Sequence, residues 1–146
     1  MLLTEHDHPI VALDRLDQIE AYIQTSLAER TIEPVHRFAD GLYAREITIP
    51  ADTFLTGEIH KTRHMNIISK GRILVFDELA GWKVVTAPCT FVAEPGTRRF
   101  GITAEETVWT TIHATTETEP EKLREQLIES RENPLLEGVV SCHGLL

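Results

Sequence analysis

Gly57-Glu58-Ile59-His60-Lys61-Thr62-Arg63-His64-Met65-Asn66-Ile67-Ile68-Ser69-Lys70-Gly71 carries two of the chain's seven histidines and lies between strand-like runs. Thr53-Phe54-Leu55 before it and Ile67-Ile68 within it speak for β-structure rather than helix. That choice decides what His60 and His64 can do. On a helix, residues four apart share a face and can share an ion. On a straight strand they share a face but stand about 13 Å apart. Imidazoles that far apart do not converge on one ion with bonds of about 2.1 Å. A shared metal therefore demands a corner or hairpin at Lys61–Arg63. The residues between the histidines also rule out a His-Glu-x-x-His helix.

Working outward, the period is two on both sides. Tyr43, Arg45, Ile47 and Ile49 alternate with Leu42, Ala44, Glu46 and Thr48, which predicts a strand over 42–49. Further strands are expected near 53–60, 64–69, 72–77, 82–87, 90–93, 98–102 and 107–114. The breaks carry turn residues: Lys70-Gly71, Ala80-Gly81, Pro88, Pro95-Gly96 and Thr103 to Glu106. Short antiparallel strands at this spacing read as a sandwich or barrel. The last strand is expected to pair with 98–102 through the turn at 103–106.

The flanks are different. Residues 1–34 read as a polar arm with His6 and His8, then a helix over about 14–29 striped by Leu13, Leu16, Ile19, Ile23 and Leu27. Residues 35–116 form the barrel unit. Residues 117–146 begin with a capping box, Thr118 to Glu121, then a short helix with Leu123, Leu127 and Ile128, then a tail with three apolar pairs. The three parts make one folding domain. The apolar stripe and tail pairs suggest a homo-oligomer, with a dimer favoured.

The net charge is −9, which argues against general nucleic-acid binding. The charge is uneven. Glu58 to Gly101 holds seven basic side chains against four acidic ones, a local +3 that leaves −12 for the rest. A basic middle suits a small anion. No apolar run reaches the roughly 18 residues of a membrane span, and the start has acids where a signal peptide needs cations. A cytoplasmic protein is expected, with Cys89 and Cys142 as reduced thiols.

The opening stretch resembles the first motif of the cupin superfamily, which has two histidines, a glutamate and then a glycine. Counting back seven from Gly71 lands on His64, so Glu58, His60 and His64 supply the same ligand types in permuted order. The second motif is a proline-glycine turn followed by a histidine. Pro95-Gly96-Thr97-Arg98-Arg99 reproduces the turn, with Arg99 in the histidine's place. Arginine binds anions through its fork of donors, not cations. On the last strand, Trp109, Thr111 and His113 share a face, so His113 is a candidate replacement ligand. His36 precedes the first predicted strand, where it could close one mouth of the barrel. The wider resemblance is to small single-domain cupin-like proteins of tailed phages. Segments 36–46, 56–67, 95–99 and 107–113 carry it, within about residues 35–130.

The resemblance implies a small antiparallel cupin-like, jelly-roll β-barrel. It leaves three functions open. In the first, a metal-dependent enzyme holds Zn²⁺, Fe²⁺ or Mn²⁺ on His60 and His64 with His113 or Glu58. Glu58 alternatively serves as catalytic base, and basic residues hold a small anionic substrate. In the second, a binding module uses Lys61, Arg63, Arg98 and Arg99 as anion clamps and Trp109 or Tyr43 as a stacking wall. Its ligand would be a nucleotide or sugar phosphate, and in a phage setting a signalling nucleotide sequestered in the host-cell cytoplasm. In the third, the protein is a structural or virion-associated oligomer.

Overall fold

The structure is a computed structural model that describes residues 32–77 and 80–129. The expected N-terminal arm and helix and the C-terminal tail lie outside the described residues. Among the described residues, nine strands form two antiparallel sheets. They are β1 (Val35–Ala39), β2 (Leu42–Ile49), β3 (Phe54–Thr56), β4 (His64–Lys70), β5 (Arg72–Asp77), β6 (Gly81–Thr86), β7 (Cys89–Ala93), β8 (Arg99–Thr103) and β9 (Thr107–Ala114). One sheet runs β1-β2-β9-β4-β7 and the other β3-β8-β5-β6. A helix, α1 (Pro120–Leu127), follows the last strand.

Alternation sets the core, as pleating requires. On β9, Thr107, Trp109, Thr111 and His113 are buried and the residues between them less so. Ile47, Ile49, Ile68 and Trp109 from one sheet meet Leu55, Ile73, Val75 and Val85 from the other. A second cluster, Phe76 and Phe100 with Phe54, lies on the opposite face of the four-stranded sheet.

Three sequence expectations change. The strand over 107–114 does not pair with β8. It pairs with β2 and β4, and the turn at 103–106 carries the chain from one sheet to the other. A short connection fixes neither sheet nor partner by itself. The strand expected over 53–60 stops at Thr56; Gly57 N–H still reaches Arg99 on β8, but by Ile59 the backbone has turned to bond Glu129. The capping box does not form. Glu119 is the N-cap with no side-chain cap bond, and the Glu117 carboxylate accepts from the backbone N–H groups of Thr118 and Glu119. The structure also adds β1, an edge strand whose five residues are all exposed, so no burial alternation announced it.

Gly71 sits in the β4–β5 turn at φ +94, and a Cβ there would meet Glu106 O at 2.2 Å. Only glycine fits both the left-handed backbone and the close approach. Among the described residues no helix is long and apolar enough to cross a membrane.

Candidate metal centre

The two sheets bring a row of side chains to one end of the sandwich. Met65 pairs with Ile112 between β4 and β9, and the same register one step on sets His64 beside His113. Tyr43 on β2 pairs with His113 and Ala93 on β7 pairs with His64. His60 enters from the loop before β4. The bend demanded at Lys61–Arg63 is present, and the His60 and His64 ring centroids lie 4.2 Å apart. His113 stacks at 5.0 Å from His60 and 4.6 Å from His64. One ligand atom from each of the three lies within 4.8 Å of the others, and all three residues are buried.

The loop is held from several sides. Gly57 N–H donates to the Arg99 carbonyl at 2.8 Å, and Gly96 N–H to the His60 carbonyl at 2.9 Å. Lys61 N–H donates to the Leu127 carbonyl, and Glu129 N–H to the Ile59 carbonyl. His60 also bridges Ile128. The end of α1 therefore straps the His60 loop in place. Tyr43, Leu123 and Leu127 pack beneath the strap.

The protonation pattern suits ligation. His64 Nδ1–H donates to the Thr62 carbonyl at 3.0 Å, because a carbonyl only accepts. Its Nε2 is then the lone-pair nitrogen, and that atom is buried without a hydrogen bond. His113 Nδ1 is likewise buried and unbonded. Burial lowers the pKa of both histidines. For His113 the charges of His64 and Arg45 add to desolvation and bring it to about 4. For His64 the Thr62 bond opposes burial and the Arg99 charge assists it. Both rings are thus neutral near pH 7, the form that binds a cation. These residues fit a divalent ion.

The other sequence-derived candidates sit as follows. The Glu58 carboxylate is engaged by Arg124, whose Nη1 donates at 3.2 Å. Lys61 is exposed and donates Nζ to the Glu125 carbonyl. Arg63 is exposed and pairs with Glu94. Arg98 is buried and engaged within the fold. Arg99 is buried, donates Nε to Asp77 Oδ2 at 2.9 Å and lies 5.6 Å over the Phe91 ring. Tyr43 stacks on His113, and its hydroxyl shares a 2.6 Å hydrogen bond with His36 Nδ1. Trp109 is fully buried in the core. The structure therefore brings His60, His64, His113, Tyr43 and Arg99 to one end, while Lys61 and Arg63 face outward.

Two residues of this end were missed in the sequence. Cross-strand pairing sets Arg45, Thr111, Asn66 and Phe91 in one row directly beneath the histidines. Asn66 is completely buried. Arg45 is largely desolvated, which lowers its pKa, and it interacts with Tyr43 and Glu58. The available signal was polarity at inward positions: Arg45 stands between Tyr43 and Ile47, and Asn66 between His64 and Ile68.

No family model and no curated protein matches the chain. Solved structures do. A Klebsiella pneumoniae protein described by its double-stranded β-helix domain superposes with a TM-score of 0.51 at 9% identity, over 60% of this chain and 79% of that one. KdgF from a Halomonas species gives 0.50 at 16%, over 60% and 84%. The DMSP lyase DddQ from Ruegeria pomeroyi gives 0.51 at 13%, over 61% of this chain and 50% of its own length. The chain has the cupin fold, and at these identities the likeness extends to the fold alone.

Proposed function

We propose that the protein is a metal-dependent cupin enzyme acting on a small anionic substrate. One observation carries the reading: three buried histidines with ligand atoms within 4.8 Å of one another in a double-stranded β-helix fold. His60, His64 and His113 would hold the ion, and three imidazoles suit zinc better than iron or manganese. When bound, the ion supplies a Lewis acid that polarises a substrate oxygen. The chain's own residues do the rest. The Thr62 carbonyl fixes the His64 tautomer. Arg99, at the fourth-ligand position of the cupin pattern, faces the site as a cation and holds a substrate anion. Arg45 adds positive potential beside His113. Glu58, pre-oriented by Arg124, is the base in this reading, released when substrate competes for the arginine.

Metal analysis of protein purified without a histidine tag tests the proposal. About one equivalent per chain is expected, falling away in His113→Ala. Less than about a tenth of an equivalent in wild type would sink it. A tailed-phage origin and a homodimer are proposals of a different kind, supported by the sequence resemblance and by the apolar segments at the two ends of the chain.

A further inference from the structure

The row beneath the histidines contains a donor that the fold leaves unused. Trp109 Nε1 donates to Asn66 Oδ1 at 2.9 Å. An indole N–H is donor only, so this bond fixes which end of the carboxamide is oxygen. Asn66 Nδ2 is therefore the other end. It is buried with no hydrogen-bond partner. Leaving a buried amide nitrogen unpaired costs on the order of 1–3 kcal/mol, and native folds rarely do so without a reason.

Its surroundings supply the reason. Asn66 follows His64 by two on β4, so it lies on the same face, about 7 Å deeper. Phe91 is its cross-strand neighbour, and Arg99 reaches over the Phe91 ring from the opposite sheet. Arg99 binds Asp77 through Nε, and its terminal nitrogens take no hydrogen bond among the described residues. Asp77 pairs with Arg99, while Arg45 in the same row and Lys83, 5.5 Å over the same Phe91 ring, add positive charge, so the layer favours an anion. An amide donor beside a planar guanidinium fork matches a planar group with two acceptor oxygens. The Phe91 and Trp109 rings, edge to face at 5.8 Å, provide flat apolar walls.

We propose that Asn66 Nδ2 and the Arg99 guanidinium form a carboxylate subsite one layer below the histidines. It takes one end of a small dicarboxylic or oxo acid whose other end reaches the histidine-held ion. The proposal rests on the metal reading for the second end only. Asn66 is a specificity-determining residue here: it discriminates two-ended acids from one-ended ones.

The test uses malonate, with acetate as the one-ended control, titrated calorimetrically into zinc-loaded full-length protein. Asn66→Asp keeps an acceptor for Trp109 and removes the amide donor. Malonate affinity is expected to fall at least tenfold in this variant. Unchanged malonate affinity overturns the subsite. In parallel, the Asn66 side-chain amide of ¹⁵N-labelled wild type is followed during malonate titration, which needs no variant to fold. Its resonance is expected to move, and a stationary resonance at saturation overturns the proposal. If wild type takes up no zinc, the metal reading fails and the same titration of metal-free protein decides the subsite by the same criterion. Absence of malonate binding at millimolar concentration in both forms overturns it too.

Discussion

The hydrogen bond from His64 Nδ1 to the Thr62 carbonyl decides which nitrogen of that ring can bind an ion. It does so from inside the bend that brings His64 and His60 together, so one local geometry sets both position and tautomer. Removing one ring leaves two histidines where three held the ion. His64→Ala and His113→Ala are each expected to weaken zinc binding at least about a hundredfold, beyond the 10–100-fold typical of supporting residues. Competition with a chromophoric chelator measures this, and an affinity within a few-fold of wild type would remove that residue from the site. The histidines and Arg99 were legible in the sequence because they are rare residue types in motif spacing. Asn66 and Arg45 were not. Their meaning depends on the row they share with Thr111 and Phe91, and that row exists only once four strands are in register. Spacing along one strand gives the face a side chain takes, not its neighbour across the sheet.

At the scale of elements, α1 works as a strap. Its last carbonyls and the following strand-like residues bond the His60 loop on both sides of His60, while Leu123 and Leu127 anchor it on Tyr43. Leu127→Ala should cost about 2–4 kcal/mol of stability, the range for emptying a buried leucine site. It should also weaken zinc binding by about tenfold, since loosening the support behind a metal ligand typically costs that much. Denaturant unfolding and metal competition on the same variant separate the two effects. Stability loss with unchanged zinc affinity would show that the strap does not position His60. The β4–β5 turn makes a second demand. Gly71→Ala places a Cβ against the Glu106 carbonyl in a left-handed conformation. Strain of about 1–3 kcal/mol plus a comparable overpacking cost is expected in denaturant unfolding. That turn was readable from Lys70-Gly71 alone. The partners of β9 were not, because the turn at 103–106 looks like a hairpin locally but crosses between sheets. The run of β-branched residues Thr107, Val108, Thr110, Thr111 and Ile112 suits a central strand with two neighbours, and β9 has two.

For the molecule as a whole, the histidine row exchanges stability for binding capacity, and acid exposes the exchange. In metal-free protein, His113 has a pKa of about 4 folded against 6.5 for the ordinary group, and that of His64 is also lowered. Above pH 6.5 both folded and unfolded chains carry these rings neutral, so they contribute no pH dependence. As pH falls below 6.5 the unfolded chain takes up protons that the folded chain refuses. Stability then drops progressively until the folded pKa is passed near pH 4. His113 alone accounts for a loss on the order of 3 kcal/mol across that window, taking about 1.4 kcal/mol per pKa unit. The cause is chiefly desolvation, which a leucine of similar reach does not suffer. Urea unfolding of metal-free protein between pH 7 and pH 4 should therefore fall steeply for wild type and more gently for His113→Leu. Bound zinc should protect the folded state at pH 7 by mass action, about 2.7 kcal/mol at a hundredfold excess over Kd. That protection should vanish toward pH 4 as protons compete for the same nitrogens. Parallel profiles for wild type and His113→Leu would show that the buried ring is not the acid-sensitive element.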